Sequence, residues 1–232
     1  LDSPAVTTAS TVKTGVGVTS DPCPEVIGGI PTGADPSKGC IYLGLLNDYT
    51  GPFGPYGIPL ETGQRGFWLW ANQSGGIGDY SVAIIEGYDT QYNPQKHLEG
   101  YKAIRGEVAA LAMSLGTPQT QFILDDMDAD NMIAAPMSWY SGWSYKSSDR
   151  GLVVEFGAAY CADGMNAVDW AMANLPVDIK TIGVMGYAGD YGGDYAAGIR
   201  VAAEANGIEV AWEYIVPSTE FDVAQAVGLM VT

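Results

Sequence analysis

From residue 41 onward, short and nearly continuous apolar runs alternate with longer stretches in which apolar and polar positions share a helical period. The runs lie at 41–46, 82–85, 108–112, 132–135, 152–154 and 182–185. A strand with one wet face alternates apolar and polar residues. A strand that is apolar at every position is covered on both faces, which is the condition of a parallel sheet layered between helices. Between the runs, residues 60–73 put Leu60, Gly63, Phe67, Trp70 and Ala71 on one face and pair Glu61 with Arg65 on the other, ending at Gly75-Gly76. Trp68 falls off this apolar stripe and is expected to be partly buried in the core. A helix starts at Pro94 after Asn93, a cap followed by proline at the first helical position. Another starts at Thr117-Pro118 and buries Phe122, Ile123 and Met127. Further helices fit 162–174, stopped by Leu175-Pro176, and 191–206, stopped by Gly207. Strand and helix alternating in this way build a doubly wound α/β layer, in which ligands collect at the carboxyl ends of the strands.

Residues 1–39 break the pattern. They are rich in Thr, Ser, Gly, Pro and Val without either period, and are expected to form a tether. Leu1-Asp2-Ser3-Pro4 lacks the basic start and apolar block of a signal peptide, which leaves open a leader removed ahead of this numbering. Cys23 and Cys40 flank a Gly/Pro-rich segment and are the expected disulfide pair, stapling the tether to the first strand; Cys161 is then left over. The alternative is three reduced packing cysteines. A chain of 232 residues suits one full domain and part of another. Its 10 Lys+Arg against 27 Asp+Glu give a net charge of −17, a field that repels phosphate backbones and anionic lipid surfaces, so nucleic acid is not an expected partner. No apolar stretch approaches the roughly 18 residues of a spanning helix, so direct membrane insertion is not expected.

The residues at the ends of the apolar runs carry the candidate chemistry. After the first come Asp48, Tyr49, Thr50, Gly51, Pro52, Phe53 and Tyr56; after the third, Ser114-Leu115-Gly116-Thr117-Pro118; after the fourth, Ser138, Trp139, Tyr140 and Trp143. Free backbone N–H groups at a helix start, with the Thr117 hydroxyl, suit a carboxylate, and aromatic walls suit an apolar side group. The competing account makes Thr117 a cap and the rings a packed rim. Enzymatic signatures are lacking. The single histidine, His97, sits near a helix start and is expected at the surface, and there is no G-x-S-x-G elbow, P-loop lysine motif or H-E-x-x-H. The glycines of 186–193 do not follow dinucleotide-binding spacing, and Asp125, Asp126, Asp128 and Asp130 read as a solvated helix end rather than a calcium loop. No catalytic residue, metal or cofactor is expected.

The segment G-L-L-N-D-Y-T-G-P-F-G-P-Y-G at 44–57 resembles the first strand and ligand loop of the type I periplasmic solute-binding proteins, the branched-chain amino acid and amide-type receptors of ABC transporters. L-G-T-P at 115–118, T-I-G-V-M-G-Y-A-G-D-Y-G-G-D-Y at 181–195 and G-I-E-V-A-W-E-Y-I-V-P-S-T-E-F-D at 207–222 are similar to later motifs of that family, in the same order. The resemblance runs from about residue 40 to the end. It implies an α/β, two-lobed type I periplasmic-binding fold with doubly wound parallel sheets, divided into a tether at 1–39, lobe one at 40–158 and a partial, incomplete lobe two at 159–232. It further implies an extracytoplasmic receptor, in the periplasm or at the cell surface, that captures a small amino-acid-like or amide-like solute. The expected partners are the small-molecule solute and an ABC permease or the missing C-terminal portion. Phe53 and Tyr56 take the first-loop contacts, Gly116, Thr117, Ser138 and Trp139 the anion-binding positions, and Tyr160 and Tyr187 contacts from lobe two. Two departures matter: Val154-Glu155-Phe156-Gly157 stands where the family often has an arginine, and the bulky Met137-Ser138-Trp139 turn favours a small or flat ligand. A sensory domain of the same fold, or a surface protein that has lost its pocket, are the alternatives.

Overall fold

The computed structural model describes residues 12–189, 191–217 and 224–230. Residues 1–11 of the expected tether, and the Ser-Thr-Glu-Phe-Asp turn at 218–222, lie outside them. The described part of the tether is more than a string. Its strands β1 (Val18–Thr19), β2 (Val26–Ile27) and β3 (Ile30–Pro31) precede the long β4 (Gly39–Asn47), and β1 pairs antiparallel with β4 through Val18–Ile41 and Thr19–Cys40. Cys23 and Cys40 are bonded, and both are buried against Ala83. Cys161 is unpaired and half-buried.

β4 is interior to a six-stranded sheet. Leu43 pairs in parallel with Ile84 of β5 (Tyr80–Ile84) and with Ala110 of β7 (Ala110–Leu115), while β6 (Tyr88–Asp89) extends the β5 side and β8 (Ala134–Met137) adds to β7. Consecutive residues of β4 serve opposite faces. Leu46 packs with Tyr101, Val108, Leu111, Ile123 and Met127, whereas Leu45 packs with Ile84, Met113 and Leu115. That double coverage is why the run reads as continuously apolar. The run at 152–154 contributes one parallel bridge, Ala134–Val153, instead of a full strand.

Helix α1 (Gly54–Gln73) starts earlier than its periodicity indicates and turns a different face to the sheet. Phe67 and Trp70, expected inside, are 54% and 61% exposed, while Trp68 packs beside Leu45 and Met113. The inward row is largely polar. Arg65 donates to the carbonyls of Ile84 (2.9 Å) and Ile85 (2.8 Å) and to Glu61 (2.7 Å), and Asn72 both donates to Val82 O (2.7 Å) and accepts from Val82 N (2.8 Å). These side chains satisfy the backbone of β5, whose outer edge would otherwise be unpaired.

Helix α2 (Pro94–Ile104) is capped by Asn93, whose side chain accepts from Gln95 N and Lys96 N. It buries His97, Gly100, Tyr101 and Ile104, so the surface position expected for His97 is wrong. Helix α3 (Thr117–Phe122) and α4 (Leu124–Asp130) bury Ile123 between them and Met127, but Phe122 points outward. The α4 aspartates meet arginines: Arg150 reaches Asp125 and Asp128, and Arg105 reaches Asp130. A 3₁₀ turn (Ser141–Ser144) and α5 (Lys146–Asp149) lead into α6 (Tyr160–Asn174).

Beyond lies a two-stranded parallel sheet, β9 (Thr181–Tyr187) with β10 (Glu209–Val216), joined through α7 (Gly192–Asn206) and followed by α8 (Ala224–Met230). Helices α6 and α7 meet backbone to backbone at Gly198, where a Cβ would fall 1.9 Å from Cys161 O. Val168, Ala202, Ala203 and Ile208 form the small core of this unit.

Candidate functional site

The loop after β4 is folded by two carboxylates. Asp48 accepts from Gly51 N (2.6 Å) and Phe53 N (2.7 Å), wrapping the chain into the first turn of α1, where Pro55 has no N–H to leave unpaired. Asp89, at the end of β6, accepts from Tyr49 N (3.0 Å), Thr50 Oγ1 (2.6 Å) and Gln91 N (3.2 Å). Burial raises the Asp89 pKa, but the hydrogen bonds from Thr50, Tyr49 and Gln91 outweigh it and hold the carboxyl below its usual value. Gly57 lets α1 approach β4, since a Cβ there would lie 2.3 Å from Asn47 Oδ1.

After β7, Gly116 adopts φ 104° and opens α3. The Thr117 hydroxyl lies 2.5 Å from Ser138 Oγ, which also accepts from Trp143 Nε1 at 3.0 Å. Behind them, Ser114 Oγ stands 2.9 Å from His97 Nε2 and 2.7 Å from Thr120 Oγ1. After β8, Trp139 packs edge-on against Phe156 (5.3 Å between centroids) and Tyr160 (6.0 Å). The smaller unit joins here: Asp194 of α7 accepts from Ser141 N (2.9 Å) and Ser141 Oγ (2.6 Å), and Tyr160 meets Tyr191 at 5.0 Å.

These strand ends enclose a cavity of about 650 Å³. Phe53, Tyr56, Gly116, Thr117, Trp139, Tyr160 and Tyr187, all singled out in the sequence, line it. Ser138 does not; it is buried behind Thr117 and acts as that residue's hydrogen-bond partner. Met137, whose bulk was noted in the sequence, lines it too, and Tyr92 and Tyr191 line it without having been singled out as contacts. Tyr191 lies just beyond the end of β9, so position in a doubly wound sheet was a usable signal for it; Tyr92, on a loop after a two-residue strand, gave none.

Among the described residues, no Asp, Glu, Lys or Arg lines the cavity. Burial, followed by the proximity of neighbouring groups, raises the pKa of Tyr92 and Tyr191; burial is also the main cause for Tyr160. The phenols therefore stay protonated at neutral pH, as uncharged donors on an apolar wall. His97 is no base for this cavity. It is enclosed beneath the β7 end, and burial lowers its pKa to about 3.

Residues 40–230 match the family model described as periplasmic binding protein. The chain belongs to that family. Among solved structures, the periplasmic binding protein described here resembles a fatty acid ABC transporter substrate-binding protein from Thermomonospora curvata, with a TM-score of 0.74 and 26% identity over 87% of this chain and 50% of that one. It also superposes on a branched-chain amino acid ABC transporter protein from Thermus thermophilus with bound valine (TM-score 0.70, 14% identity, 83% and 50% covered). A solute-binding protein from Rhodopseudomonas palustris BisB5 in complex with 3,4-dihydroxy benzoic acid gives 0.70 at 18% identity, with 82% and 51% covered. The last two share the fold. The chain spans about half the length of these structures. No curated protein gives a significant match. The family and its solved relatives are solute-binding proteins of ABC transporters, not enzymes, and their type I periplasmic-binding fold is the one seen here.

Proposed function

We propose that this chain is the ligand-capturing part of an extracytoplasmic receptor that delivers a small organic acid to an ABC permease. In this reading residues 40–158 form lobe one and 159–232 part of lobe two, with 1–39 stapled to lobe one as a collar. The solute is held between them, first by the β4, β7 and β8 loops and then, on hinge closure, by Tyr160, Tyr187 and Tyr191. One observation carries the assignment of ligand class: among the described residues the cavity is walled by aromatic rings and contains hydroxyls and backbone donors but no charged side chain. The described part of the wall offers an ammonium group no carboxylate to replace its hydration. A carboxylate, by contrast, finds donors in the Thr117 turn and the phenols. An acid with an aliphatic or aromatic body therefore fits better than an amino acid, which revises the amino-acid-like solute that the sequence suggested. Among the relatives, a fatty acid transporter protein and a complex with a hydroxylated benzoic acid support this choice, while the complex with valine represents the competing amino-acid class.

Titration calorimetry of the purified chain with benzoate, 4-hydroxybenzoate, octanoate, leucine and acetamide tests it. At least one of the acids binds in the micromolar range or tighter, and leucine binds at least a hundredfold more weakly. Leucine binding as tightly as the best acid would overturn the ligand class.

A further inference from the structure

The turn between β6 and α2 holds a backbone arrangement that its own sequence does not favour. Gln91 and Tyr92 are consecutive non-glycine residues in the left-handed region, with φ 50° and 51°. A side chain with a Cβ is penalised there, and asparagine or glycine tolerates the region better. At the end of α4 the chain follows that rule with Asn131, φ 53°. At Tyr92 it uses a large ring instead, and the surroundings hold the strained conformation in place. Thr90 O accepts from Asn93 N (2.9 Å), Asp89 accepts from Gln91 N (3.2 Å), and Gln119 Nε2 donates to Tyr92 O at 2.7 Å.

The consequence is a ring inside the cavity. Tyr92 lies over Phe53 with centroids 4.1 Å apart and planes tilted by 30°, so residues from two separate loops form one stacked aromatic pair in the cavity wall. The Tyr92 phenol is near those of Tyr160 and Tyr191, which belong to the smaller unit. Gln119 comes from α3, the helix that begins with Thr117. Gly116 keeps these parts interlocked: a Cβ on it would fall 2.1 Å from Gln119 Oε1 and 2.8 Å from the Tyr92 ring. Strain of this kind collects at ligand clamps, where a side chain must be delivered to a fixed place.

We propose that Tyr92, stacked on Phe53, is the specificity-determining surface against which the body of the ligand lies, and that Gln119 is the positioning residue that fixes its distance from the Thr117 turn. This rests on the solute-binding reading above. Tyr92 then decides what kind of body is accepted, and Gln119 how long that body is.

Three proteins are compared by calorimetry and thermal melting: wild type, Tyr92→Asn and Gln119→Leu. The probes are benzoate and the linear carboxylates from butanoate to decanoate. Asparagine suits the left-handed turn but removes the ring, so Tyr92→Asn melts within a few degrees of wild type and binds the best probe at least tenfold more weakly. Gln119→Leu releases the Tyr92 carbonyl and shifts the preferred carboxylate length, a change of ranking that general destabilisation would not produce. Unchanged affinity in Tyr92→Asn overturns the proposal, and so does its failure to fold, which would make the ring structural. An unaltered length ranking in Gln119→Leu removes the positioning role. Wild-type protein that binds none of these probes removes the ligand-class reading and this inference together, whereas wild-type binding with an insensitive Tyr92→Asn removes this inference alone.

Discussion

Replacing His97 by glutamine isolates a pH dependence that the fold builds into its core. His97 is fully buried, and burial lowers its pKa from 6.5 to about 3. Unfolding exposes the ring to water, where it takes up a proton near its ordinary value. Between pH 6.5 and pH 3 the unfolded chain therefore binds more protons than the folded one, and stability rises with pH across that window and is lost as pH falls through it. At pH 5 the protonation of the unfolded state costs about 2 kcal/mol, from roughly 1.36 kcal/mol for each pH unit below 6.5. Glutamine is uncharged and keeps a polar group near Ser114, so the variant loses stability at every pH but lacks this increment. The assay is urea unfolding at pH 8 and pH 5 for both proteins. Wild type should lose about 2 kcal/mol more than His97→Gln over that interval. Parallel losses in the two proteins would show that His97 does not change its protonation on unfolding, and would refute the burial argument.

Two further perturbations test the frame around the site. Arg65→Met removes the cation from a pair in which Glu61 is itself largely buried, so it should cost roughly 3–5 kcal/mol in chemical denaturation, and Arg65→Met with Glu61→Gln should recover part of that loss. Cys23→Ala/Cys40→Ala opens a crosslink between residues 17 apart in sequence and should lower stability by about 3 kcal/mol, with ligand affinity changed much less than stability.

Much of the layered core was legible because its residues are apolar for one reason only. Leu45 and Leu46 face opposite sides of a covered sheet, and Asn93-Pro94 announces a helix by local chemistry that needs no tertiary partner. The loops at the strand ends were legible for a topological reason, and they delivered Phe53, Tyr56, Thr117 and Trp139 to one cavity. Where several demands compete for a residue, the pattern misleads. The inner face of α1 meets a sheet edge whose backbone groups need partners, so Arg65 and Asn72 go inward and Phe67 and Trp70 go out. His97 could have been placed inside from its spacing, since 97, 100, 101 and 104 form one helical stripe, but an ionisable side chain biased the reading toward the surface. Tyr92 was invisible because its position depends on a left-handed backbone that Gln119, far along the chain, helps to maintain.

The polar underside of α1 has a mechanical effect. Greasy contacts let two packed surfaces glide with little change in energy, but Arg65 on Ile84 and Ile85 and Asn72 on Val82 work only at one setting, like a key bitted for a single lock. Tyr56 and Leu60, within about two and a half turns ahead of Arg65 on the same rod, inherit that indexing. In the hinge closure proposed above, one jaw would thus be held in fixed alignment, and the travel left to the other.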